Sequence, residues 1–246
     1  MSEHLPALPP VDPAHAGHAA PAATVTPELL AGLLADGDDE LAAWVLRSAL
    51  VERRRAEVFD GLLRGAMTLI GERWQVGRWT VAEEHLASQT LARALERIRT
   101  QAGPEGRVGP LAVLAGVAGE QHEIGLICLD QVLCEEGWTV ANLGADVPAA
   151  DLARFLARNG AELVGLAASL PERAEALRES VAAAEAVRPD DPLPVMVGGA
   201  LAEDASLMGS LGVAWAGSSL AAAATYAAGL RERISGRPTA EASELP

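Results

Sequence analysis

From residue 110 to residue 233, short apolar runs alternate with longer segments of helical pattern, and this alternation constrains the fold more than any other feature. Strands that alternate with helices form βαβ units, which place the strands side by side in one parallel sheet. We therefore predict an α/β domain over residues 110–233, with a flavodoxin-like, doubly wound sheet of five parallel strands. The predicted strands are Leu111–Val117, Trp138–Leu143, Leu163–Ala168, Pro194–Val197 and Val213–Trp215.

The chain before this domain has a helical pattern instead. Thr26-Pro27-Glu28 combines an N-cap residue with a proline at the first helical position, and Thr80-Val81-Ala82-Glu83 has the form of a capping box. Between these signals, apolar residues recur at helical spacing and predict four helices with short connections. We expect a four-helix bundle cap over residues 25–101, joined to the sheet domain by a linker at 102–109.

The two ends of the chain lack such periodicity. Residues 1–24 are rich in proline, alanine and histidine and predict a disordered arm, and residues 234–246 predict a loose tail. No apolar stretch reaches the length of a membrane span, and the first residues lack the basic start and apolar core of a signal peptide. We therefore expect a cytoplasmic protein that makes no membrane contact.

The charge balance limits the partners that the surface can attract. The chain has 19 Lys and Arg against 34 Asp and Glu, which gives a formal net charge of −15. An acidic surface of this size repels phosphate backbones, so we expect no direct binding of nucleic acid.

Two further patterns are expected to be structural. Arg53, Arg54 and Arg55 form a basic run, but they lie between acidic residues on a predicted helix, where a solvated face is expected. Cys128 and Cys134 lie in one predicted helix at a spacing that does not suit a disulfide, so two buried thiols are expected.

A ligand-binding site is predicted at the loop after the first strand, Gly119–Gly125, which has the sequence GEQHEIG. Ligands of a doubly wound sheet bind beyond the carboxyl ends of the strands, where the strand order reverses, and for this order the point lies between the first and third strands. Imidazole is the commonest protein metal ligand, and a carboxylate such as Glu120 can orient the ring of His122. The alternative is that His122 only caps the next helix and that Gly198-Gly199 is an ordinary turn. The joint placement of His122, Ser169 and Gly198-Gly199 at strand ends favours a binding site.

The spacing Glu120-x-His122-x-x-Gly125, followed by Ser169-Leu170 and Gly198-Gly199, resembles the DxHxxG…SxL…GG signature of cobalamin (vitamin B12)-binding domains. Glu120 stands where many members of that family have Asp. The resemblance covers roughly residues 25–233, because these domains are commonly preceded by a four-helix cap. It implies that His122 replaces the cofactor's own dimethylbenzimidazole base as the lower axial ligand of cobalt. It also implies that the freed tail lies in a slot lined by the serine and glycine loops.

The sequence of the four-helix cap narrows the resemblance to one group within the family. Trp74, nine further residues and then Glu84-His85 resemble the Wx9EH motif of cobalamin-dependent photoreceptors of the CarH/LitR type, which are related to light-responsive MerR-type repressors. The resemblance implies that these residues pack over the upper face of the cobalamin and accommodate a 5′-deoxyadenosyl group. The alternative is a structural tryptophan in the bundle core and a surface Glu-His pair.

Two departures from the photoreceptors are visible. The MerR-type DNA-binding domain expected ahead of this module is missing, in agreement with the acidic charge. Gln75 follows Trp74, where some of these photoreceptors carry a histidine that binds cobalt after illumination. A bis-histidine photoproduct is therefore not expected through that position, and His85 is left as the alternative ligand.

These resemblances predict a binding protein rather than an enzyme, namely a light sensor with base-off/His-on cobalamin. Light would remove the upper ligand and change the assembly or the contact with a protein partner. Adenosylcobalamin is the expected form, methylcobalamin is the alternative, and a second pigment such as a bilin stays open. The alternative function is a corrinoid methyl-carrier subunit of a methyltransferase system, which would use the same lower site. The predicted site residues are Trp74, Glu84, His85, Glu120, Gln121, His122, Glu123, Ile124, Gly125, Ser169, Leu170, Gly198 and Gly199.

Overall fold

The N-terminal helices pack as a bundle in the computed structural model, which describes residues 25–99 and 109–236. A π-helical turn at Phe59–Leu63 joins α3 to α4 without a break, so the two form one continuous rod and the bundle has four helical rods within the described residues. Both predicted N-terminal signals are confirmed. Thr26 caps α1, and the Thr80–Glu83 capping box has both of its hydrogen bonds. The helices are α1 (Pro27–Ala35), α2 (Asp39–Leu50), α3 (Arg55–Val58), α4 (Arg64–Gln75) and α5 (Val81–Ile98).

Five parallel strands form one sheet in the order β2-β1-β3-β4-β5. The order reverses between β1 and β3, and their register pairs Val113 with Val164. The predicted doubly wound α/β fold and its switch point are therefore confirmed. The strands are β1 (Leu111–Gly116), β2 (Thr139–Asn142), β3 (Leu163–Ala167), β4 (Val195–Gly198) and β5 (Trp215–Ala216).

Helices cover both faces of this sheet, which is why the central strands are apolar along their whole length. The packing of α6 and α10 buries Leu114, Leu126 and Leu230 on one face. On the other face α7, α8 and α9 enclose a second core that contains Leu156, Val181 and Leu207. The helices are α6 (Ile124–Glu135), α7 (Ala149–Asn159), α8 (Ala174–Glu185), α9 (Ala205–Leu211) and α10 (Leu220–Ser235), with 3-10 turns at Pro171–Arg173 and Ala200–Glu203.

The last strand differs from the prediction, which placed it at Val213–Trp215. In the structure Trp215 pairs with Met196, and the backbone N–H of Gly217 donates to the carbonyl of Val197 at 3.1 Å. The edge strand is therefore positioned by its hydrogen bonds to β4 rather than by its own apolar residues.

The bundle is stacked on α6 and α10, and its core continues into the sheet domain through Cys128, Val132 and Ala224. Arg55 extends this contact, because its guanidinium donates to Gln131 Oε1 at 2.7 Å. Arg54 forms an ion pair with Glu136. The expected solvated face is confirmed for Arg54, whose side chain is 59% exposed, but it is wrong for Arg55, which is partly buried against the sheet domain. The helical pattern alone does not reveal this interface.

The two cysteines lie in different surroundings. Cys128 is buried, as expected, and burial raises the pKa of its thiol to about 12. Cys134 is exposed, so the expectation of two buried thiols is wrong for this residue. Within residues 25–99 and 109–236, no helix is both long enough and apolar enough to cross a membrane.

We expect the two thiols to react with Ellman's reagent at very different rates. Cys134 should react quickly in the native protein. Cys128 should react at least about a hundredfold more slowly, because its thiolate is unfavourable and reaction requires local opening. The variants Cys128→Ser and Cys134→Ser assign the two phases, and equal rates for both thiols would contradict the burial of Cys128.

Candidate functional site

The loop after β1 is organised around the carboxylate of Glu120, which is 1% exposed. Its Oε1 accepts a hydrogen bond from the backbone N–H of His122 at 2.9 Å and lies 2.5 Å from Nδ1 of the same residue. Its Oε2 accepts from the backbone N–H of Ser169 at 2.5 Å, in the loop after β3. One buried carboxylate therefore joins the two loops at the switch point of the sheet.

The charge state of Glu120 follows from these contacts. Burial raises the pKa of its carboxyl group, but the hydrogen bonds from His122 and from the backbone N–H of Ser169 outweigh it. The net result is a pKa below the ordinary value for glutamate, so the group is a carboxylate near neutral pH. A carboxylate only accepts hydrogen bonds, so Nδ1 of His122 must carry a proton.

His122 is therefore prepared to act as a ligand through its other nitrogen. With the proton on Nδ1, Nε2 keeps a free lone pair, and no group among the described residues hydrogen-bonds to it. The side chain is 63% exposed, so Nε2 is open to a ligand from solvent. The alternative role as a helix cap is wrong, because the N-cap position of α6 is occupied by Glu123, without a side-chain cap bond.

A metal at His122 would need its other ligands from outside the protein. Among residues 25–99 and 109–236, no group of three or more His, Cys, Asp or Glu side chains can hold a metal ion. A zinc or iron site built from protein ligands alone uses three or four of them. A lone, oriented imidazole instead fits a metal that arrives in a macrocycle, as cobalt does in a corrin ring. The donor set at this site therefore fits a cobalamin.

The loop after β2 is tied to the histidine loop by two further contacts. The carboxylate of Asp146 accepts from the backbone N–H of Gly119 at 2.6 Å, and Glu123 Oε1 accepts from the N–H of Ala145 at 3.0 Å. Asp146 has a φ of +56°, a conformation that aspartate tolerates better than most residues. No role was predicted for Asp146 from the sequence, although an aspartate in a turn that also contains a glycine is a signal for this kind of backbone contact.

The glycine pair after β4 lies beside the loop after β3. Gly199 has a φ of +89°, and a Cβ atom there would overlap the carbonyl group of Ala168. The close approach of these two loops therefore requires glycine at this position. Gly198 differs, because a Cβ there would meet only the carbonyl oxygen of Gly217, at 3.9 Å, and one at Gly125 would meet nothing within 4 Å. Open space therefore borders Gly125, whereas a Cβ at Gly198 would make an ordinary van der Waals contact.

The remaining predicted site residues of the sheet domain differ in their exposure to solvent. Gln121 is exposed, and Ile124 is partly buried against the bundle core. Leu170 is 42% exposed and directly follows Ser169, one position earlier than the leucine of the SxL pattern. Only Ser169 therefore matches that pattern in place.

The three predicted cap residues lie on either side of the connection between α4 and α5. Trp74 is near the end of α4 and is 47% exposed, which excludes the alternative role as a buried bundle tryptophan. Glu84 Oε2 lies 2.6 Å from Nδ1 of His85, and Glu84 Oε1 accepts from the hydroxyl of Ser88 at 2.8 Å. The structure thus provides an exposed indole and an oriented, exposed imidazole at the same end of the bundle.

A separate groove of about 520 Å³ lies between α5, α6 and β2. It contains Glu123 and Gly144 from the loops described above, but its other walls include Glu96, Arg99 and Asp130. This groove lies along the edge strand and is distinct from the slot predicted beside Ser169 and the glycine pair.

Comparisons with known proteins agree with this geometry. A family profile described as a B12 binding domain matches residues 110–224, which contain the sheet and all the loops described above. A second profile, also described as a B12 binding domain, matches residues 28–99, which form the helical bundle.

Individual relatives include two groups of proteins, the first of which consists of transcriptional repressors. The chain is 36% identical over 158 residues to the HTH-type transcriptional repressor CarH of Myxococcus xanthus, and 37% identical over 164 residues to the repressor CarA of the same organism. These matches cover 64% and 65% of this chain but 52% and 53% of the repressors, so the chain spans about half the length of these relatives.

The second group consists of corrinoid proteins. The chain is 25% identical over 162 residues to dimethylamine corrinoid protein 3 of Methanosarcina acetivorans, covering 63% of this chain and 76% of that protein. The structure of the monomethylamine corrinoid protein of Methanosarcina barkeri superposes with a TM-score of 0.67 at 18% identity, over 82% of this chain and 96% of that one. At this identity the similarity shows a shared fold.

We expect Glu120→Gln to destabilise the protein by about 1–3 kcal/mol, because the amide nitrogen of glutamine cannot accept a hydrogen bond from its buried donors. Urea unfolding of the cofactor-free protein measures this loss. Glu123→Gln is the matched control, since Glu123 is exposed and its change should cost less than about 0.5 kcal/mol. Equal stabilities of the two variants would contradict the central role of the buried carboxylate.

Proposed function

The chain belongs to the family of B12 binding domains, and we propose that it holds its cobalamin with Nε2 of His122 as the lower axial ligand of cobalt. The observation that carries this proposal is the pairing of Nδ1 with the buried carboxylate of Glu120, which leaves Nε2 exposed as the nitrogen that can reach a metal. A carboxylate that accepts a hydrogen bond from the other ring nitrogen fixes the tautomer of a metal-bound imidazole and raises its basicity.

In this proposal the loops beside His122 receive the rest of the cofactor. Ser169, Gly198 and Gly199 would line the slot for the nucleotide tail, and the close approach of Gly199 to Ala168, which brings the loops after β3 and β4 together, supports this assignment. Gly125 would let the corrin ring approach the start of α6, because no atom lies within 4 Å of a Cβ placed there. Gln121, Glu123, Ile124 and Leu170 would form the rim of the site.

We further propose that the protein is a light sensor which carries adenosylcobalamin. This cofactor supplies a cobalt–carbon bond that light breaks. Trp74 would cover the upper face of the cofactor with its indole, and Glu84 and His85 would hold the polar edge of the adenosyl group. The exposure of Trp74 and the hydrogen bond between Glu84 and His85 support this role, as does the 36% identity to the repressor CarH.

The output of such a sensor would be mechanical. Loss of the upper ligand would remove the contacts of Trp74 and His85, and the bundle would then shift against α6 and α10. A changed assembly or a changed contact with a protein partner would follow from that shift.

The second candidate function is a methyl carrier in a methyltransferase system. The observation that favours it is the shared fold with the monomethylamine corrinoid protein, which is matched over 96% of its length. The lower site would be the same in both functions, but a methyl carrier must expose the upper face of cobalt to its partners. An exposed Trp74 and the Glu84-His85 pair at the same end of the bundle favour the sensor.

We expect the wild-type protein to retain adenosylcobalamin in the dark with the visible spectrum of a histidine-ligated cobalamin. His122→Ala should lose that spectrum and bind at least about tenfold more weakly, because the axial ligand is missing. His85→Ala is the matched control for the spectrum, which it should keep, since it removes another exposed histidine without touching the lower site. A wild type that retains no cobalamin, or a His122→Ala variant with an unchanged spectrum, would overturn the assignment.

Green light should change the spectrum of the adenosylcobalamin-loaded protein irreversibly and shift its elution in size-exclusion chromatography. Trp74→Ala should keep the dark spectrum but weaken the preference for adenosylcobalamin over methylcobalamin by about tenfold, because the loss of a buried aromatic contact costs 1 kcal/mol or more. Illumination that leaves both spectrum and elution unchanged, together with tighter binding of methylcobalamin, would instead support the methyl carrier.

A further inference from the structure

A carboxylate in the bundle caps a helix of the sheet domain. Asp60 lies in the π-helical turn that joins α3 to α4, and its Oδ1 accepts from the backbone N–H of Leu220 at 2.9 Å. Its Oδ2 accepts from the backbone N–H of Ala221 and from the hydroxyl of Ser219, both at 2.9 Å. Three donors at the start of α10 thus converge on one side chain from the other part of the molecule.

Arg64 completes this contact. Its guanidinium donates to Asp60 Oδ1 at 2.7 Å and also to the carbonyl of Ser218, so it spans the same junction. Burial raises the pKa of Asp60, but the hydrogen bonds at the start of α10 and from Arg64 outweigh this and lower it. The residue is therefore a carboxylate at the positive end of the α10 dipole, where an anion is favoured.

Helix α10 already has an N-cap residue of its own, so the hydrogen bonds to Asp60 are additional. Ser219 already occupies the N-cap position, and its hydroxyl accepts from the N–H of Ala222 at 3.2 Å. Asp60 takes the two N–H groups that this internal cap leaves free. A π-helical turn adds one residue to a helix and is often found at functional positions. Here the turn carries the residue that reaches α10.

The position of the contact connects two parts of the proposed site. On the sheet side, α10 begins directly after Gly217–Ser219, and the carbonyl of Gly217 is the atom nearest to a Cβ placed at Gly198. On the bundle side, Asp60 belongs to the continuous rod that ends just beyond Trp74. At 1.5 Å per residue, Trp74 lies roughly 21 Å along the rod from Asp60, so a small rotation at Asp60 moves the indole appreciably.

We propose that Asp60 is a positioning residue that couples the placement of the bundle to the cofactor slot through the N-terminus of α10. This inference rests on the proposed cobalamin site. Asp60 holds the rod that carries Trp74 in register with the Gly217–Ser219 loop, so that the indole and the slot act on the same cofactor. Loss of this contact removes the hydrogen bonds that fix the bundle against the start of α10, while the lower ligand, His122, stays in place.

The test compares Asp60→Ala and Asp60→Asn with Asp38→Ala. Asp38 is the matched control because its carboxylate caps a helix within the bundle, accepting from the N–H of Leu41 at the start of α2. Hydrogen exchange of the Leu220 and Ala221 amides is measured without cofactor. The dark dissociation rate and the visible spectrum of bound adenosylcobalamin are measured on the loaded protein.

In Asp60→Ala we expect exchange of these two amides to become about tenfold faster, as for the loss of one helix cap. Cobalamin should dissociate about tenfold faster, while the spectrum of the fraction still bound remains that of His122 ligation. Asp60→Asn, which keeps one acceptor oxygen, should be intermediate in both measurements, and Asp38→Ala should match the wild type.

The outcomes separate this inference from the proposed function. Faster exchange at Leu220 and Ala221 with an unchanged dissociation rate would overturn the coupling and leave Asp60 as a helix cap only. An equal effect of Asp38→Ala on dissociation would also overturn it, since general loss of bundle stability would then suffice. A wild type that binds no cobalamin would overturn the proposed function itself, a result visible before any variant is compared.

Discussion

The buried carboxylate of Glu120 is the interaction on which the site depends. Carboxylates are seldom buried to this extent unless several donors satisfy them, and Glu120 has donors from two separate loops. Because those loops follow the neighbouring strands β1 and β3, the carboxylate holds the switch point of the sheet together. The same bonds lower its pKa, fix the proton of His122 on Nδ1 and leave Nε2 for a metal. The contact between the two loops and the position of the proton on His122 thus both depend on one carboxylate.

The second constraint is the contact between the bundle and the sheet domain. The bundle core continues through Cys128 and Val132 of α6, so the two parts share buried apolar surface. Polar contacts then set the register, since Arg55 bonds to Gln131 and Asp60 caps α10. Apolar packing is tolerant of small shifts, whereas hydrogen bonds are directional. Apolar packing and directional hydrogen bonds together therefore fix how the bundle sits on the sheet domain.

Much of this architecture was predictable from local patterns. The alternation of strands and helices predicted the doubly wound sheet, and the spacing of Glu120 and His122 predicted their pairing. Local sequence patterns were insufficient where a residue's contacts are made with a partner distant in the sequence. Arg55 lies between acidic residues and resembles part of a solvated face, yet it contacts Gln131. The edge strand was misplaced because hydrogen bonds to β4, and not its own apolar residues, determine its position.

The sequence by itself determined the class of fold, the capped helix starts and the identity of the proposed ligand, because each depends on residues close together in the chain. Only the tertiary structure decided how Glu120 is buried, which nitrogen of His122 is exposed and which bundle residue reaches α10. These properties depend on groups as distant in sequence as Asp60 and Ala221. Solvent exclusion and hydrogen-bond geometry arise only when such groups are brought together by folding. For that reason no pattern of neighbouring residues in the sequence predicts them.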